Sequence, residues 1–127
     1  MASVALTFGG AVKNYPLLSE NPSKRVQAKI KEILDFTAME VVMRLSIPGR
    51  DYNDRTGKLR SSWRRRKVNR SRYRYRVSNP TEYASFIEYG TYKIEARKML
   101  RREMRNGRAR LRRRLKALEN LVRRGLL

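Results

Sequence analysis

Between Leu100 and Val122 the apolar residues fall on one line: Leu100, Met104, Gly107, Leu111, Leu115, Leu118 and Val122, at steps of three and four, set among arginines. A repeat near 3.6 residues brings such positions onto one narrow face. The stretch therefore predicts a long helix with a single side to bury and charge on every other side. It cannot form a core alone, so the rest of the chain must supply a second apolar surface. The helix is expected to begin at Glu95 or Ala96 and to reach about Arg124. Gly107, which costs about 1 kcal/mol relative to alanine inside a helix, is expected to mark a kink or a break.

The complementary surface comes earlier. Val26, Ile30, Ile33, Leu34, Thr37, Val41 and Leu45 recur at helical steps. They predict a helix from Ser23 to about Leu45, capped by Asn21 or Ser23 and stopped by Pro48-Gly49. Residues 48–56, PGRDYNDRT, read as a loop. Thr56 to Ser62 then opens a short helical turn, with Asp54 or Thr56 as its cap. Trp63–Val68 and Arg72–Ser78 read as two strands joined by a polar turn at Asn69-Arg70-Ser71. In the second strand Tyr73, Tyr75 and Val77 alternate with Arg72, Arg74 and Arg76, giving an aromatic face and a cationic one. The expected fold is α+β: a small antiparallel hairpin or sheet packed against an N-terminal helix and a long C-terminal helix. With 127 residues there is room for one core. It is placed in residues 23–127, preceded by an arm, residues 1–22, that is partly ordered, ordered on assembly, or simply frayed.

Charge bounds the partners. Thirty-two Lys and Arg stand against eleven Asp and Glu, a formal +21 with arginine dominant. Such an excess repels itself and attracts polyanions, and the guanidinium fork suits phosphate and carboxylate. The densest run holds Arg60, Arg64, Arg65, Arg66, Lys67, Arg70, Arg72, Arg74 and Arg76 with no acid among them. On a hairpin they form a ribbon facing DNA or an acidic partner, with Trp63, Tyr73 and Tyr75 interleaved. Those aromatics either stack on bases or pack against the first helix. A second cationic set, from Arg101 to Lys116, is expected around the outside of the leucine seam.

Catalysis has little to work with. The chain has no cysteine and no histidine, which removes the thiol nucleophile, the thiolate and imidazole metal ligands, and the commonest general base. Glu82 and Glu88 are the one carboxylate pair that could share a pocket, and no phosphate-binding glycine loop or zinc spacing occurs. No enzyme activity, metal or cofactor is expected. No apolar run approaches about 18 residues and the first residues lack a positive flank, so neither a membrane span nor a signal peptide is expected.

Two motifs carry a resemblance. One is Asp54-Arg55-Thr56-Gly57-Lys58-Leu59-Arg60-Ser61-Ser62; the other is Tyr83-Ala84-Ser85-Phe86-Ile87-Glu88-Tyr89-Gly90-Thr91, followed by Ala96-Arg97. In this order, with a helix before and after, the chain resembles the tailed-phage neck and tail-completion proteins that include the lambdoid minor tail protein Z type. The likeness covers roughly residues 25–120. Where relatives continue Ala-Arg-Pro-Phe-Leu, this chain has Ala96-Arg97-Lys98-Met99-Leu100. The resemblance implies a structural virion protein, assembled in the bacterial host cytoplasm. It would stack as a ring of roughly six or twelve copies between head and tail, against adjoining neck, connector and tail-terminator proteins, with genomic DNA in the lumen. Thr56, Gly57, Leu59, Tyr83, Phe86, Glu88, Tyr89, Gly90 and Thr91 would be its motif and subunit-interface residues. Tyr83, Phe86 and Ile87 are expected to pack inward, Gly90 to take a positive φ, and Glu88 to meet an arginine of the next subunit or an internal one such as Arg97. The competing reading is a small basic protein that binds nucleic acid without sequence preference.

Overall fold

The computed structural model describes residues 4–8, 10–47, 57–68, 73–90 and 95–127. Thr56, Arg70, Arg72 and Thr91, and the loop expected at 48–56, lie outside the described residues.

Two helices frame the molecule. Helix α2 (Lys24–Leu45) starts at Ser23, whose side chain accepts a hydrogen bond from the Val26 N–H at 3.2 Å. It buries Val26, Ile30, Leu34, Thr37, Ala38, Val41 and Leu45, the expected stripe with Ile33 at its margin. Helix α5 (Met99–Arg123) lies along it and buries Leu100, Met104, Leu111, Leu115 and Leu118. The helix runs unbroken through Gly107, so the glycine does not split it into two helices. A Cβ at that position would stand 2.8 Å from Cγ2 of Val41, so the glycine lets the two helices approach closely. Helix α5 also starts later than Glu95. Lys98, its cap residue, has φ of 53°, a left-handed conformation closed to proline.

The sheet is antiparallel with order β1-β3-β2. Strands β2 (Arg64–Lys67) and β3 (Tyr75–Asn79) are the expected hairpin, each shorter than its pattern suggested. Strand β1 (Val4–Phe8) comes from the segment expected to be an arm: it pairs with β3, Leu6 opposite Val77. A 3-10 turn (Gly10–Asn14) and a short helix α1 (Pro16–Ser19) follow, and their Val12 and Leu18 are buried in the core. Residues 4–8 and 10–19 are thus held by β pairing and core packing.

Two short helices complete the chain. Helix α3 (Lys58–Ser61) begins at Gly57, whose φ is 71°, and drops Leu59 into the core. Helix α4 (Glu82–Tyr89) ends at Gly90, whose φ of 79° is the positive value expected there. Trp63, Tyr75 and Val77 pack with α2 and α5 in a single core. The ribbon's aromatics are accordingly core residues; Tyr73, at the sheet's end, is half-buried.

Candidate functional site

The pleat and the register divide the arginine ribbon into two sides. Along β3, Tyr75, Val77 and Asn79 turn inward while Arg76, and Arg74 just before the strand, stay exposed. All four residues of β2 are exposed. Arg66 stands opposite Arg76 and Arg64 opposite Ser78, so Arg64, Arg66, Arg74 and Arg76 share the outer face. Arg65 and Lys67 stand opposite Val77 and Tyr75, on the side of α2. There Arg65 Nε donates to Asp35 Oδ1 at 3.0 Å, tying β2 to α2. Arg60, on α3, is half-buried and stands apart from both faces. Like charges placed directly across an antiparallel pair are unfavourable. An anion lying over Arg66 and Arg76 reverses that sign, and among the described residues none of the four outer arginines has an acidic partner.

The motif around α4 is a joint. Asn79, fully buried, donates from Nδ2 to the Leu59 carbonyl at 2.9 Å; its Oδ1 accepts from the Thr81 N–H at 3.0 Å and the Thr81 hydroxyl at 2.7 Å. One amide side chain thereby fixes α3, the end of β3 and the start of α4. The Asn79-Pro80-Thr81 turn signal was visible in the sequence, although its role was not.

Glu88, 1% exposed, makes the second link. Its Oε2 accepts from the Leu100 N–H at 2.9 Å, and its Oε1 accepts from the Arg101 N–H at 3.0 Å and from Arg101 Nε at 3.1 Å. Arg101 Nη2 donates in turn to the Glu88 carbonyl at 2.8 Å. A carboxylate from one helix caps the N-terminus of another, where orphan N–H groups and the helix dipole favour negative charge. Its partner is Arg101, in the same chain; Arg97 instead donates its backbone N–H to the Ile87 carbonyl at 2.7 Å.

Because Ala84 and Glu88 take the inward face of α4, the aromatics cannot. Tyr83 is 64% exposed, Phe86 44% and Tyr89 60%, reversing the expectation for Tyr83 and Phe86; Ile87 alone of the expected trio is partly buried. Tyr83 and Phe86 meet edge to face, ring centroids 6.4 Å apart, and the Arg101 guanidinium lies 5.1 Å from the centre of the Tyr89 ring.

The α5 cations also divide. Arg105, Arg112, Arg113 and Lys116 are exposed as expected. Arg110 and Arg114 turn toward α2, where both pair with Glu40, Arg110 Nε at 3.6 Å. Arg114 also donates to Thr37 Oγ1 at 2.8 Å and stacks over Phe36 at 4.9 Å. The Arg114 hydrogen bond holds the Glu40 carboxyl below its ordinary pKa against the opposing effect of burial. Desolvation, helped by nearby Arg44, lowers the Arg110 guanidinium. Glu40 was missed in the sequence because it flanks the apolar stripe without being part of it. Among the described residues no group of three or more His, Cys, Asp or Glu is placed to hold a metal ion, and no helix is long and apolar enough to cross a membrane.

Against known proteins, residues 18–90 match the family model described as "Bacteriophage HK97-gp10, putative tail-component". The match spans the stretch from α1 to Gly90, including α2, the hairpin and α4. Searches of curated proteins and of solved structures find no significant match.

Proposed function

This chain belongs to the bacteriophage HK97-gp10 tail-component family, and from that membership we propose that it is a tail-completion subunit of the lambdoid protein Z type. In this reading it is a structural, non-catalytic virion protein. Copies form a ring in the neck, against adjoining connector and terminator proteins, and DNA passes through the lumen.

The outer sheet face carries the proposal. Arg64, Arg66, Arg76 and, just before β3, Arg74 form a patch on the paired strands, and among the described residues none of them has an acidic partner. Their fixed spacing suits a phosphodiester backbone, in which every nucleotide repeats the same charge. Contact of this kind reads no sequence, and its affinity comes from released counterions. Four phosphate contacts correspond to a slope of log Kobs against log salt of about 3.5 in magnitude.

The test is duplex binding by fluorescence anisotropy, with two unrelated sequences over a range of salt. Arg66→Gln with Arg76→Gln is expected to weaken both sequences equally and to reduce the slope by about 2. Arg65→Gln, on the α2 side, is expected to change the slope by less than about 1. An unchanged slope in the double variant overturns the DNA-facing assignment. Monomers that bind duplex tightly, without rings in electron micrographs, would favour the competing small nucleic-acid-binding protein.

A further inference from the structure

Four of the α5 cations form a row of their own. Arg105, Arg108, Arg112 and Lys116 follow one another at steps of three and four, so they line one flank of the helix. Arg105, Arg112 and Lys116 are exposed and Arg108 is half-buried. Arg110 and Arg114 leave the helix on the opposite flank, toward α2 and Glu40. The row's flank borders the N-terminal elements instead. Arg108 Nη2 donates to the Thr7 carbonyl at 3.1 Å, and the Arg112 carbonyl accepts from the Tyr15 hydroxyl at 3.1 Å. Thr7 links this row to the sheet. It lies on β1, at the edge of the sheet, opposite Arg76, which in turn stands opposite Arg66. Exposed Thr7 therefore continues the outer-face line Arg66–Arg76 by one strand spacing, about 5 Å. Arg108 reaches the sheet at that position, so the outer arginine face and the α5 row meet with one uncharged residue between them.

We propose that the sheet face and the α5 row are one continuous track for a DNA backbone, bound as a duplex laid over the β1 edge. The proposal rests on the DNA-facing reading above. It extends that site from four cations on the sheet to eight, adding Arg105, Arg108, Arg112 and Lys116.

Sign and spacing both favour a phosphodiester backbone. A solvated helix flank usually mixes the two signs. Between Arg101 and Leu118 the only acid is Glu103, and it is fully buried. Among the described residues none of the four row cations has an acidic partner. Glu20, at the end of α1 where that helix packs on α5, is exposed and pairs with none of them. Like charges at neighbouring helical positions repel, and a polyanion over them reverses the sign. From Arg105 to Lys116 the helix rises about 16 Å, a length over which one DNA strand carries about five phosphates. Four cations on a rigid helix match that repeat, whereas an acidic protein surface has no fixed charge period.

The salt dependence of duplex binding by the full-length protein, followed by fluorescence anisotropy, tests the track. Eight phosphate contacts correspond to a slope of log Kobs against log salt of about 7 in magnitude, against about 3.5 for the sheet face alone. Arg105→Gln with Arg112→Gln, both at exposed positions, is expected to keep the circular dichroism spectrum and to lower the slope by about 2. Lys29→Gln with Arg65→Gln removes the same formal charge from the α2 side, where Glu32 and Asp35 are the partners. That control is expected to change the slope by less than about 1. Titration with a short duplex is expected to give the same number of duplexes per chain for the wild type and the row variant. A wild-type slope near about 3.5, unmoved by the row variant but lowered in Arg66→Gln, Arg76→Gln, would overturn the track and leave the sheet reading standing. Loss of a second duplex per chain in the row variant would make the row a separate site and also overturn the track. A slope that neither pair of changes moves would overturn both readings.

Discussion

Replacing Glu88 by alanine tests whether the α4 turn is a structural joint. The side chain accepts three hydrogen bonds, from the Leu100 N–H, the Arg101 N–H and Arg101 Nε. Leu100 is fully buried, so its N–H has no water to turn to, and leaving it unpaired costs about 1–3 kcal/mol. Losing a negative charge at the helix N-terminus costs about 0.5–1 kcal/mol more. The guanidinium contributes little: the Arg101 side chain is 43% exposed, can be rehydrated, and keeps its bond to the Glu88 carbonyl. Relief of the carboxylate's own desolvation offsets part of the loss. The net expectation is about 1–3 kcal/mol of destabilisation for Glu88→Ala, or roughly 4–12 °C in Tm for a domain of this size. Glu88→Gln keeps one acceptor and is expected to lose about 1–2 kcal/mol. Urea unfolding followed by circular dichroism measures both. A Glu88→Ala variant within about 0.5 kcal/mol of wild type would refute the capping account.

Gly107→Ala should destabilise by about 1–2 kcal/mol although alanine is the better helix former, because its Cβ meets Val41. Adding Val41→Ala should recover part of that loss relative to the sum of the single changes, and strict additivity in the cycle would argue against the close approach. The Glu40 carboxyl is held below its ordinary pKa of 4.5 in the folded state. Its contribution is therefore complete above that value and is lost as pH falls through the folded pKa. Acid titration of stability should show a shallower decline below pH 4.5 for Glu40→Gln than for wild type, and parallel curves would count against the Arg114 pairing. Arg65→Ala and Asp35→Ala should each cost less than about 1 kcal/mol in thermal melts, because that pair is exposed.

Much of the architecture was legible because it depends on local periodicity. The stripes of α2 and α5 each needed one buried side, and the Tyr75–Val77 alternation needed a half-buried strand. What escaped depends on contacts distant in sequence. Val4, Leu6 and Phe8 alternate over only five residues, too short a pattern to announce a strand by itself, and the segment becomes one through its partner β3 some seventy residues later. Gly107 reads as a defect until Val41 is placed beside it. The face of α4 was misjudged for a related reason. Burying large aromatics is the usual rule, but the start of α5 needs an acceptor, and Glu88 supplies it by turning Tyr83 and Phe86 outward. Among the candidate site residues, the split of the ribbon into Arg64, Arg66, Arg74 and Arg76 against Arg65 and Lys67 followed from strand register, which alternation alone does not fix between strands.

The use of the acids explains the character of the surface. The chain has eleven acidic residues, and three of them each join two elements: Asp35 joins α2 to β2, Glu40 joins α2 to α5, and Glu88 joins α4 to α5. Each pairs with an arginine of its own chain, and Glu32 and Glu119 pair with neighbours on their own helices. An acid engaged this way cannot also moderate the outer face of the sheet or the exposed side of α5. The fold therefore concentrates its negative charge at internal joints and leaves arginine outside. Copies of such a chain repel one another over most of their surface, so they can associate only where the cations are absent or where a polyanion screens them. A DNA strand along the arginine face would provide the second condition. Self-association of the wild type should therefore strengthen when short duplex is added at low salt. It should lose that response in the Arg66→Gln, Arg76→Gln variant. Association that is indifferent to DNA in both proteins would argue against screening by a polyanion on the arginine face.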